Sequence, residues 1–95
     1  MSNAYIVGQI TVKNPELWAE YCSKVPATVI PWGGELVFRG KQVAALAGES
    51  QHPDIVVIRF PDLAALDSWF SSAAYQALIP LRQQAAEVLL LSYET

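Results

Sequence analysis

The chain has 95 residues, 53% of them hydrophobic and 16% charged, with a formal charge of −3 and a pI near 4.9. Its length predicts one domain spanning residues 1–95, and so apolar a composition excludes a disordered chain. The acidic balance, without a basic run or basic aromatic stripe, argues against nucleic-acid binding. No apolar stretch approaches the roughly 18 residues that span a bilayer, so no membrane segment is expected.

The N-terminus reads as native chain from Ser2 onward. No basic region precedes an apolar block, so no signal peptide is expected. One cysteine, Cys22, cannot form an intrachain disulfide, and a cytoplasmic location follows as the expectation.

The first strand is expected over Ala4–Val12. Asn14-Pro15-Glu16 then starts a helix: Asn14 caps it, Pro15 takes the first position, and Glu16 favours the positive end. Trp18, Cys22, Val25 and Val29 recur at helical spacing and should face the sheet. Tyr21 falls off that stripe. Pro26 should kink or split the helix, because it lacks an N–H and crowds the preceding turn. Gly33-Gly34 ends the helical stretch.

A second strand follows over Glu35–Arg39. Gly40-Lys41 reads as a tight turn or bulge, with Gln42–Ala47 continuing the strand beyond it. Gly48–Asp54 is polar and holds Pro53, so it is a loop. The third strand is Ile55–Phe60. Pro61 stops it and Asp62 caps a second helix with Leu63, Leu66 and Phe70 on its buried face. Ser71-Ser72 breaks that helix, Ala73–Ala85 is a further helical piece disturbed at Pro80, and Ala86–Glu94 is the last strand.

Across these strands the even positions are apolar or small: Ala4, Ile6, Gly8, Ile10, Val12, Leu36, Phe38, Val56, Ile58, Phe60, Ala86, Val88 and Leu90. That is one core-facing side of a sheet at period two. Many odd positions are apolar too, including Val7, Val37, Ile55, Val57, Leu89, Leu91 and Tyr93. A short chain has too few helices to cover both faces, so a second copy on the odd face is expected. The order β-α-β-β-α-β predicts an α+β, ferredoxin-like fold: a four-stranded antiparallel sheet with helices on one face. Two such sheets packed face to face would close a dimeric α+β barrel.

The residues also carry a resemblance. Tyr5-Ile6-Val7, Asn14-Pro15-Glu16 with Tyr21, Pro26-Ala27-Thr28, Gly33-Gly34, Val37-Phe38-Arg39-Gly40-Lys41, Phe60-Pro61, Trp69 through Gln76, and Leu81 through Ala86 cover nearly the whole chain. Together they resemble the family called domain of unknown function 1330, in the dimeric α+β barrel superfamily. The resemblance implies the dimeric barrel fold and no catalytic residues. The superfamily includes cofactor-independent monooxygenases, muconolactone-isomerase-like enzymes, haem-degrading enzymes and small stress-response proteins, which is analogy at the level of fold.

Candidate ligand-binding residues are Arg39, Tyr21, Trp32, Trp69 and Tyr75. Arg39 and Arg59 fall on the odd face with Glu35 and Glu87, and the four either pair in an interior network or leave Arg39 free for a carboxylate. Tyr21 is either a packing residue or a hydroxyl aimed into a cleft between helix and sheet. Trp32, Trp69 and Tyr75 either line an apolar pocket or fill the core. Arg82 pairs with a carboxylate, caps a helix end or forms a surface salt bridge. His52 is expected to be solvated in its loop, and Cys22 to be a buried, inert thiol. One His, one Cys and no clustered carboxylates offer no metal-ligand set, and no phosphate loop or nucleophile elbow is present, so neither metal nor cofactor is expected. The expected function is a cytoplasmic homodimer that binds a small organic acid or aromatic ligand, with cofactor-independent oxygenase- or isomerase-like chemistry at most. The alternative is a non-catalytic binding or structural dimer.

Overall fold

Alternation in the first strand sorts its side chains cleanly. Ala4, Ile6, Gly8 and Ile10 are buried, while the odd residues between them are only half-buried. A computed structural model of the chain describes residues 3–95; Met1 and Ser2 lie outside the described residues. Strand β1 (Ala4–Val12) is followed by helix α1 (Pro15–Val29), a 3-10 turn (Ile30–Trp32), strands β2 (Glu35–Lys41) and β3 (Asp54–Phe60), helices α2 (Leu63–Ser71), α3 (Ala73–Gln76) and α4 (Ile79–Ala85), and strand β4 (Ala86–Glu94).

The sheet order is β2-β3-β1-β4 and every pairing is antiparallel. This is the ferredoxin-like arrangement, with β1 at the centre opposite Ile58 and Ser92 through Ile6. The helices cover the even face. The core between them holds Ile6, Ile10, Val56, Ile58 and Phe60 from the sheet and Tyr21, Val25, Leu66, Trp69 and Tyr75 from the helices.

Capping follows local chemistry. The Asn14 carboxamide oxygen accepts from the N–H groups of Glu16 and Leu17, both at 3.1 Å, satisfying donors that a helix start leaves open. The Asp62 carboxylate does the same for Ala65 at 2.7 Å. Ser72 ends α2 and caps α3, and Pro80 sits in the first turn of α4, where its missing N–H costs nothing.

Pro26 does not split α1. It lies in the last turn, where only the bond to the Cys22 carbonyl is lost, and the Ile30 N–H still closes on Pro26. After the 3-10 turn, Gly33 takes a left-handed φ of 75° and donates to Ile30 at 3.0 Å. Gly34 answers a different demand. A Cβ there would fall 2.7 Å from Phe60 Cε1 and closer still to Val29, so only glycine lets the chain pass this close to the core.

Three expectations about the strands and helices need correction. First, Phe70 is not the buried aromatic of α2: it is 38% exposed, whereas Trp69 is 2% exposed. Trp69 wins because its indole N–H finds a buried acceptor, Thr28 Oγ1, at 3.1 Å. Second, β2 does not continue over Gln42–Ala47. The Gln42 N–H donates to the Pro53 carbonyl at 2.6 Å, closing a neck beyond which residues 42–53 form no strand, and Pro53 itself has no N–H for a ladder. Third, β2 is not interrupted at Gly40-Lys41, which pair regularly with Ile55 and Asp54; its bulge lies earlier. Leu36 pairs with Ile58 but Phe38 pairs with Val57, leaving Val37 as the extra residue. The bulge inverts the alternation, so Arg39 stands opposite Val56 on the helix side and not on the odd face.

The interior network of four charges is accordingly not formed. Arg59 pairs with Glu35 across the β2–β3 ladder; Arg39 is on the other face, and Glu87 is exposed. His52 is half-buried and not simply solvated, with Nδ1 2.8 Å from Thr11 Oγ1. Among the described residues no helix is long and apolar enough to cross a membrane.

Candidate functional site

The helix side of the sheet carries more than packing. Ser72 starts α3 by accepting the Tyr75 N–H at 3.3 Å, which places Tyr75 against α1. Tyr75 is fully buried, packed on Trp69 with ring centroids 4.3 Å apart. Its hydroxyl is 2.8 Å from that of Tyr21 in mid-α1. Seven residues beyond Tyr75, Arg82 in α4 donates Nη1–H to the same Tyr75 oxygen at 2.7 Å. Three side chains from three helices thus form one line, Arg82 to Tyr75 to Tyr21.

The line has an electrical sense. Burial, with the Tyr75 hydroxyl beside it, holds Tyr21 protonated far above the ordinary phenol range, although Arg82 pulls the other way. Tyr21 is therefore a neutral hydroxyl and not a base. With Arg82 donating into Tyr75, the Tyr75 proton is free to go to Tyr21 and the Tyr21 proton to an acceptor beyond it.

Tyr21 also lines a small, partly open cavity of about 30 Å³, together with Ile6, Ile10, Trp18, Val25, Arg39 and Trp69 among others. It has room for a water molecule or one small group. It shares Ile6, Val88 and Leu90 with a wider pocket of about 380 Å³ that opens between α2, α4 and β4. That pocket adds Leu66, Phe70, Asp67, Arg82 and Ser92 to its lining. On the far side Arg39 borders two further clefts of about 290 Å³ each, one against Val25, Pro26 and Val29, the other against Trp18, Lys41 and Asp54. The space under the helices thus has a guanidinium at either end, Arg82 at the wide pocket and Arg39 at the clefts.

Arg39 also lies beside Cys22. Burial pushes the Cys22 thiol up, against the opposing pull of the Arg39 guanidinium, so the thiol stays protonated and unreactive at neutral pH.

Of the candidate residues, the structure brings Tyr21, Trp69 and Arg39 around one small cavity, while Tyr75 is fully buried behind Tyr21 and lines none of these spaces. Trp69 is the cavity wall, with its only polar atom engaged by Thr28. Trp32 stands apart, exposed in the 3-10 turn and lining neither the cavity nor the clefts around it. Arg82 is the residue the sequence undervalued. Its signal was the spacing from Tyr75, two helical turns, which puts both on one side of the α3–α4 stretch. Asp67 and Ser92 carried no signal, because a lone acid on a helix and a lone serine in a strand are ordinary surface residues. Among the described residues no group of three or more metal-binding side chains converges.

Comparison with known proteins agrees with this architecture. No curated protein matches the sequence. A protein of unknown function from Rhodopseudomonas palustris has a similar structure at 16% identity and a TM-score of 0.82, with 97% of this chain and 81% of that one covered. A dimeric ferredoxin-like protein of unknown function from Jannaschia sp. is similar at 14% identity and a TM-score of 0.78, covering 98% and 99% of the two chains. SnoaB, a cofactor-independent oxygenase from Streptomyces nogalater, is similar at 13% identity and a TM-score of 0.69, covering 98% and 92%. At such identities the likeness is one of fold. The family model described as Domain of unknown function (DUF1330) matches residues 3–94, and the chain belongs to that family.

Proposed function

We propose that this protein is a cytoplasmic homodimer that binds a small organic acid, with an aromatic or apolar body, in the space between sheet and helices. The observation that carries this reading is the Arg82–Tyr75–Tyr21 line, half-buried at Arg82 and buried at the two tyrosines, with Tyr21 lining an apolar cavity. A buried hydroxyl with a polarised donor behind it suits a ligand oxygen. The wide pocket, at about 380 Å³, lies in the range that holds small molecules. The ligand carboxylate meets one of the two guanidiniums, whose planar forks suit it, and aromatic edges of Phe70 and Trp18 flank the body.

Any chemistry is cofactor-independent and of the oxygenase or isomerase kind. Tyr21, held neutral, would stabilise charge building on a substrate enolate or phenolate oxygen, and the apolar walls would keep water away. The cofactor-independent oxygenase of similar fold gives this reading its chemical precedent. A thermal-shift series of small carboxylic acids on wild type, Tyr21→Phe, Arg39→Gln and Arg82→Lys tests it. Stabilisation by an acid in wild type, reduced in Tyr21→Phe and in one arginine variant, supports the site. The same shift in every variant removes it.

A second reading, a structural dimer without substrate, draws support from the outer sheet face, where Phe38, Leu89 and Tyr93 are exposed. It gains if the protein sediments as a dimer and no acid shifts its melting.

A further inference from the structure

The wide pocket has a feature that a simple acid would leave unused. Its lining is apolar at Ile6, Leu66, Phe70, Val88 and Leu90, and polar at Asp67, Arg82 and Ser92. Asp67 and Arg82 bear opposite charges into one pocket, yet they do not pair. Among the described residues the ion pairs are Lys24–Glu20 and Arg59–Glu35, and the Asp67 carboxylate accepts no hydrogen bond from the protein. Arg82 spends Nη1 on the Tyr75 hydroxyl and lies 6.0 Å from the Tyr75 ring centroid, which fixes its guanidinium while leaving other N–H donors for the pocket.

We propose that the wide pocket takes a zwitterion of the α-amino-acid class with an apolar or aromatic side chain, its carboxylate on Arg82, its ammonium on Asp67 and its side chain against Phe70 and Leu90. This rests on reading the space under the helices as a ligand site, and it names the ligand that the site prefers. Two unpaired opposite charges lining one pocket, the guanidinium held in place by Tyr75, favour a molecule carrying the complementary pair over one that leaves either charge without a partner. The apolar floor of Ile6, Val88 and Leu90 then accepts the side chain. Ser92, on the floor at the β4 side, supplies a hydroxyl that can donate to the carboxylate or accept from the ammonium.

Titration calorimetry at pH 7 with three probes of one shape tests this: L-phenylalanine, 3-phenylpropionate, which lacks the ammonium, and 2-phenylethylamine, which lacks the carboxylate. Phenylalanine is expected to bind at least tenfold more tightly than either analogue. Asp67→Asn should erase the advantage of phenylalanine over phenylpropionate, weakening phenylalanine and binding phenylpropionate as well as wild type does or better. Arg82→Lys should weaken both acids. Asp67 is exposed, so its variant is expected to fold, and melting curves verify that. Equal or tighter binding of phenylpropionate in wild type overturns the zwitterion inference and leaves the acid site standing. Binding of none of the probes also overturns the zwitterion inference, and a lack of response to every small carboxylic acid overturns the acid site with it.

Discussion

The Tyr21 and Tyr75 hydroxyls lie 2.8 Å apart across 54 residues of sequence, and this one bond ties α1 to α3. Removing either oxygen has unequal consequences, because Tyr75 also receives Arg82. Tyr21→Phe deletes one hydrogen bond and should cost about 1 kcal/mol. Tyr75→Phe deletes two and leaves a buried Tyr21 hydroxyl without its partner, so it should cost about 2–3 kcal/mol. Urea melts of the two variants and the double variant measure the difference; an equal cost for both would mean that Arg82 contributes nothing through Tyr75.

Alkaline pH should destabilise the fold through Tyr21 in a defined direction. Its folded-state pKa is raised above the ordinary 10.0, so below pH 10 both folded and unfolded chains hold the proton and Tyr21 adds no pH dependence. Above pH 10 the unfolded chain releases the proton and the folded one keeps it. Stability then falls, by up to about 1.4 kcal/mol per pH unit. Melts at pH 8, 10 and 11 should show a steeper alkaline loss in wild type than in Tyr21→Phe, and parallel curves would contradict the assignment.

The aromatic pair in α2 makes opposite predictions for neighbours. Trp69→Ala should cost about 3–5 kcal/mol, the usual range for a buried aromatic, and Trp69→Phe a smaller amount that includes the lost bond to Thr28. Phe70→Ala, at a pocket rim, should cost under about 1.5 kcal/mol and instead weaken ligand binding. A denaturant series on the three variants decides; a large loss for Phe70→Ala would return it to the core.

Gly34→Ala should destabilise by about 1–3 kcal/mol, typical of overpacking, since the added methyl meets Val29 and Phe60. Combining it with Val29→Ala should recover part of the loss, which calorimetric melting would reveal. No recovery would place the strain in the backbone.

Leu89→Glu and Leu91→Lys should weaken self-association, because they put charge on an apolar outer face. Sedimentation at micromolar concentration should show dimer for wild type and monomer or unfolded chain for the variants. A stable wild-type monomer would end the dimer proposal.

How much of this was legible in the chain depended on the range of the signal. The inward face of β1 could be read because Ala4, Ile6, Gly8 and Ile10 obey one period without exception. The caps at Asn14 and Asp62 could be read because their bonds span two or three residues. Phe70 and Trp69 could not be separated locally: both lie at helical spacing from Leu66, and the deciding partner, Thr28, is 41 residues away. Of the candidate site, Tyr21, Tyr75 and Arg39 were visible as residue types, but what assembles them is tertiary. The role of Arg82 depends on a hydroxyl brought to it by α3, and its apparent insignificance came from treating it as an isolated surface charge.

Val37 has a consequence for how residues are compared between related chains. As the supernumerary residue of β2, it sets the phase of everything after it. A relative lacking that one residue would still present a side chain to the cleft opposite the equivalent of Val56, but an ungapped alignment would match Arg39 to a neighbour pointing toward the other face. Roles transferred column by column across that strand would then be assigned to the wrong residue. A deletion of Val37 should regularise the ladder and leave Arg39 aimed under the helices. The identity of the cleft residue in any family member is thus decided by counting ladder pairs back from β3, and not by position along the chain.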